Sequence, residues 1–89
     1  MEFSSHNDLG AAVFRTWSEE QHREEIGKLV KGYRKGVPLG VLCKMAETIA
    51  GSRDKAKEHL AHFMPLKERR RAVAKETGGM RQLAEEFLL

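Results

Sequence analysis

His59 and His62 stand three residues apart in "HLAHF", a spacing that places both on one side of a helix. His22 and Cys43 are further soft ligands. Zinc needs about four such ligands in tetrahedral reach, and one loose pair does not supply them. Metal binding is therefore not expected, and solvated histidines flanking Leu60 are the simpler reading. Cys43, in "VLCKM", lies in an apolar stretch and reads as a buried, inert thiol. Lys44 beside it favours a thiolate, but no His or Asp partner is organised for nucleophilic work. The glycines at 32, 36, 40 and 51 punctuate helices, and the phosphate-loop pattern GxxxxGK[ST] is absent. Glu19-Glu20 and Glu85-Glu86 read as solvated surface or as partners of helix dipoles. These patterns point away from an enzyme, and no cofactor is expected.

The stronger signal is basic. "LKERRRAVAKETGG", residues 66–79, puts Leu66, Val73 and Thr77 on one side of a helix, with Ala74 beside them. Arg71, Lys75 and Glu68 fall opposite, Arg69 on a flank, and Arg70 close to the apolar side, where its stem can lie on the core. Lys67 joins the outward group at the N-terminal end. An earlier helix carries Lys28, Lys31 and Lys35 at i, i+3, i+7, with Arg34 adjacent, and Arg53, Lys55 and Lys57 open a later one. Cations in such stripes meet phosphates, and arginine reads base edges. A lysine-rich helix face is equally common as plain solvated surface.

The elements that must position these groups are punctuated for helices throughout. Leu9, Val13 and Trp17 mark a first short helix, capped by Asn7 or Asp8. Ser18 and Gln21 form a capping box ahead of Ile26, Leu29, Val30 and Tyr33, with a stop at Gly36. Pro38 opens a helix with Leu42, Met45, Ala46 and Ile49 inward, and Gly51 closes it. Ser52 caps the next, with Ala56, Leu60, Phe63 and Met64 inward, and Pro65 breaks it. A fifth helix is expected from Leu66 to Thr77, closed by Gly78-Gly79. A last one carries Met80, Leu83, Ala84 and Phe87 on one side. No strand alternation is present. The fold expected is all-α, a compact orthogonal bundle of five or six short helices joined by one to three residues. Trp17, Phe14, Tyr33, Phe63 and Phe87 are the expected large core pieces.

Eighty-nine residues fit one small domain. Residues 1–6 are expected to be a flexible tail, with Glu2-Phe3 as a cloning remnant, and 7–89 a single helical domain; the expectation is a fragment of a longer protein. The segment "TGGMRQLAEEFLL" resembles the first helix of the motif in bacterial helix-turn-helix regulators, with Leu83, Ala84 and Leu88 matching. Phe87 stands where the turn glycine would be, and no recognition helix is expected after Leu89. The resemblance implies no function for this chain.

Charge is distributed unevenly. Residues 1–27 carry a net −4, residues 28–75 a net +9 and residues 76–89 a net −2. No apolar run nears the about 18 residues that span a bilayer, no signal peptide is evident, and one cysteine excludes an internal disulfide, so an intracellular protein (cytoplasmic, or nuclear in a eukaryote) is expected. Two functions fit. One is a non-catalytic helical module of regulatory or mobile-element type that contacts DNA or RNA through Lys28, Lys31, Arg34, Lys35, Arg69, Arg71 and Lys75. The other is a protein-interaction domain of a larger intracellular protein, docking an acidic partner or a partner helix. The acidic first third weighs against nucleic acid; the net +9 over the middle weighs for it.

Overall fold

The cap signals place the helix starts, and a computed structural model, which describes residues 12–89, shows them in use. Residues 12–15 are helical. Ser18 then caps α1 (Glu19–Arg34) with both halves of the box: its hydroxyl accepts from the Gln21 amide at 3.1 Å, and its own amide donates to the Gln21 side chain at 2.7 Å. Ser52 caps α3 (Arg53–Phe63) by accepting from the Lys55 amide at 3.2 Å. Proline precedes α2 (Leu39–Ala50) and α4 (Leu66–Ala74), one residue outside each helix. Gly36 and Gly51, at φ 123° and 87°, supply the left-handed backbone that ends α1 and α2. The last helix, α5, runs Gly78–Leu88. The expected caps Asn7 and Asp8, Leu9 and the expected tail lie outside the described residues.

Among the described residues every regular element is helical, an all-α bundle. Its connections are two to four residues long. α1 packs on α2 and α3; α5 packs on α2, α3 and α4. One core joins all five helices: Ile26 and Val30, Leu42, Ala46 and Ile49, Ala56, Leu60 and Met64, Ala72 and Val73, Ala84, Phe87 and Leu88. No helix is long and apolar enough to cross a membrane among the described residues.

Besides Met45 and Met80, expected inward but 39 % and 40 % exposed, the core departs from expectation in three ways. It is aliphatic, and Phe87 is its one fully buried aromatic; Phe14, Tyr33 and Phe63 lie half-buried against its edge. Trp17 is half-buried and stands edge-on to Phe14 at 4.8 Å. Second, α4 stops at Ala74. Thr77 is extended, at φ −135°, so Gly78 and Gly79 open α5 rather than close α4. Third, the inward side of α4 is Ala72 and Val73, with Arg69 and Glu76 half-buried beside them, while Leu66 is 44 % exposed. The wheel phase was off by one position, because nine residues with one small apolar pair define a phase poorly.

Cys43 is buried, and burial, then the charge of Glu76, pushes its thiol up to about 12. At pH 8 the thiolate is then on the order of one part in 10⁴. Native protein is expected to leave Ellman's reagent unreacted over a time in which the chain in guanidinium reacts fully; prompt native reaction would show the core opening at α2.

Candidate nucleic-acid interface

Five of the seven cations singled out by the sequence line two depressions that share Arg34. The first, of about 480 Å³, is bounded by Lys28, Lys31 and Arg34 of α1, with Glu24, Gly27 and Phe63. The second, of about 460 Å³, lies between the end of α1 and α4; Arg34, Arg71 and Lys75 line it with Tyr33, Glu68 and Glu76. Helix geometry explains the first group, since positions 28, 31 and 34 fall on one stripe. The second exists because α4 is brought beside α1.

Arg34 makes that junction. Its Nε and Nη2 donate to the two carboxylate oxygens of Glu68 at 2.9 and 2.8 Å, a bidentate pair, and Nη2 also donates to the Phe63 carbonyl at 2.9 Å. The pair raises the Arg34 pKa and lowers that of Glu68, in both cases chiefly through the side-chain hydrogen bond. Arg34 is thus already engaged, and its role is to position the two patches. Lys28 lies 3.6 Å from Glu25 along its own helix and is largely solvated. Lys31, Arg71 and Lys75 are exposed, with no carboxylate within ion-pair distance among the described residues.

Two of the seven stand apart. Lys35 is the exposed C-cap of α1 and lines neither depression. Arg69 is half-buried and turned inward: Nε donates to the Met64 carbonyl at 2.8 Å and Nη1 to the Leu88 carbonyl at 2.7 Å. It satisfies two carbonyls at helix ends, of α3 and of α5, where a cation also suits the dipole. Arg70, which the wheel put near the core, is exposed instead. The sequence could not show this, because the carbonyls that Arg69 caps come from other helices.

Two members of the third basic group, Arg53 and Lys55, are spent on ion pairs, and Lys57 is in none among the described residues. Lys55 meets Glu19 at 2.7 Å, and Arg53 meets Glu86, with Glu47 at 3.9 Å. The histidines diverge: His62 is exposed, its ring 4.9 Å edge-on from Phe63, and His59 is 1 % exposed. His59 therefore departs from the solvated expectation; the inward side of α3 is Ala56, His59 and Leu60. Among the described residues no group of three His, Cys, Asp or Glu side chains is placed to hold a metal.

The carboxylates temper the basic surface. Tyr33 in the second depression is held above its ordinary pKa mainly by burial, then by Glu68 and Glu76. Glu68 is offset by Arg34, which leaves Glu76 and Glu24 as the opposing charges. Each depression also holds one half-buried aromatic ring, Phe63 in one and Tyr33 in the other. A Cβ at residue 27 would fall 2.7 Å from the Phe63 ring, so Gly27 is what lets that ring lie against α1.

His59 carries a pH dependence. Arg23 Nε donates to its Nδ1 at 3.4 Å, so a neutral ring has its proton on Nε2, which is buried and has no hydrogen-bond partner. Burial first, then Arg23, holds its pKa below the ordinary 6.5, against opposing pulls from Glu19 and Glu58. Below that value the unfolded chain binds a proton that the folded chain resists. Stability is thus full above about pH 6.5 and is lost as the pH falls beneath it. Thermal unfolding is expected to show a smaller decline from about pH 7.5 to about pH 5 in His59→Leu than in the parent; equal declines would assign the acid sensitivity elsewhere.

No protein-family model, curated protein or solved structure matches this chain. Fold and surface together define a small all-α bundle with a basic face on α1 and α4.

Proposed function

We propose that the protein is a non-catalytic helical module that contacts nucleic acid through the α1–α4 face. The observation that supports this is the contiguity of Lys28, Lys31, Arg71 and Lys75 around two open depressions joined at Arg34. A phosphate backbone is met by spaced cations of this kind. Phe63 and Tyr33, one per depression, suit stacking of unpaired bases.

Short labelled duplex and single-stranded oligonucleotides titrated by fluorescence anisotropy test the reading. With four phosphate contacts, binding is expected to weaken about a hundredfold between about 50 and about 200 mM salt. The combined Lys31→Ala, Arg71→Ala, Lys75→Ala variant is expected to lose most of the affinity and to flatten that dependence by about three contacts. Absence of binding at low salt, or binding that ignores the three substitutions, would overturn the proposal.

A further inference from the structure

A different face, remote in character from the basic one, carries the exposed apolar surface. α2 has three polar or charged side chains besides Cys43 in its twelve residues: Lys44, Glu47 and Thr48. A helix of a globular protein normally keeps its apolar residues on the covered side. Only one side of α2 is covered, by Leu39, Leu42, Cys43, Ala46 and Ile49 facing the core. On the other, Val41 is 47 % and Met45 39 % exposed, and across from them Met80 of α5 is 40 % exposed. These three, with Leu83, form the walls of a groove of about 480 Å³. Gly40 keeps its α2 end open: a Cβ there would fall 3.0 Å from Met80 Cε. Of the three described methionines, the two exposed ones face each other across this groove, and methionine adapts its shape to a partner at little cost.

The charges around the groove select its occupant. Lys44 stands in its lining, and no carboxylate among the described residues lies within ion-pair distance of it. The first turn of α2 lies at the same groove, with no acidic residue and no side-chain cap, so its dipole end also favours negative charge. A two-fold contact with a second copy would bring like charges, the two exposed Lys44 side chains, to one interface, which is unfavourable. The segment from Leu39 to Met45 gives about 10 Å of helix, two turns, enough for apolar anchors at i, i+3 or i+4, and i+7 of a partner.

We infer that the α2–α5 groove docks an amphipathic helix of another protein, with an acidic residue of that helix paired to Lys44. The probe is a synthetic helical peptide of about 14 residues with leucines at i, i+4, i+7 and i+11 and flanking glutamates, beside a counterpart with lysines in place of the glutamates. Anisotropy is expected to show micromolar binding of the acidic peptide that persists at about 500 mM salt, unlike a purely electrostatic contact. Met80→Glu and Val41→Asp, both at exposed positions, are expected to weaken it at least about tenfold while the thermal unfolding midpoint stays put. Lys44→Glu is expected to reverse the preference between the two peptides. Equal binding of both peptides, binding indifferent to Met80→Glu, or no binding of either would overturn the inference. So would a dimer in sedimentation that Met80→Glu dissociates, since that assigns the groove to a second copy.

Discussion

Arg69→Met is expected to lower the unfolding free energy by about 3 kcal/mol, with Arg70→Met within about 0.5 kcal/mol of the parent. The methionine keeps most of the stem that packs on the core but removes both donations, to Met64 O and Leu88 O. Each was a charge-assisted bond to a carbonyl at a helix end, and each carbonyl is then left short of a partner in a partly buried place. In a domain of this size the loss amounts to a fall in midpoint of roughly 12–24 °C. The neighbouring Arg70 is exposed and serves as the control for charge and helix propensity. Urea unfolding followed by circular dichroism measures both. Equal effects of the two variants would contradict the assignment of Arg69 as the clamp between α3, α4 and α5.

Phe87→Ala is expected to cost about 3–5 kcal/mol, enough to leave much of the chain unfolded at 37 °C. Phe87 is 1 % exposed and is the only fully buried aromatic of the described core. It sits on α5, the helix that packs on α2, α3 and α4 at once, so the cavity opens where three contacts meet. The Arg53 guanidinium lies 5.1 Å from the ring centroid and loses that face as well. A chain this short buries only about 60 % of its unfolded surface and has little stability to spare. Phe87→Leu, which keeps most of the volume, is expected to cost under half as much. Amide-proton dispersion together with urea midpoints separates the two; a well-folded Phe87→Ala at 37 °C would mean that the core relaxes into the space.

What could be read in the sequence was local. Ser18 with Gln21, Ser52, the two prolines and the glycines at 36 and 51 act within four residues of themselves, so their roles were visible before folding. The stripe Lys28, Lys31, Arg34 was visible for the same reason. What escaped depended on other helices. Arg69 and Arg70 differ only in which of them meets the ends of α3 and α5. His59 and His62 differ in which side of α3 the bundle covers. The pairing of Arg34 with Glu68 spans 34 residues, and it is this pair that joins the two basic patches. The apolar groove escaped because Met45 and Met80 read as core positions by spacing. Each is exposed on its own helix, α2 or α5, whose other side supplies the core.

The nucleic-acid contact we propose lies on the α1–α4 face. Its most direct test is a titration of the uniformly ¹⁵N-labelled protein with short single-stranded and duplex oligonucleotides at about 50 mM salt, followed by amide chemical shifts. Perturbations are expected to concentrate at Lys28, Lys31, Tyr33, Arg71 and Lys75 and to fade as salt is raised, while Val41, Met45 and Met80 stay unmoved. Perturbations centred on the α2–α5 groove, or a spectrum unchanged by any oligonucleotide, would contradict it.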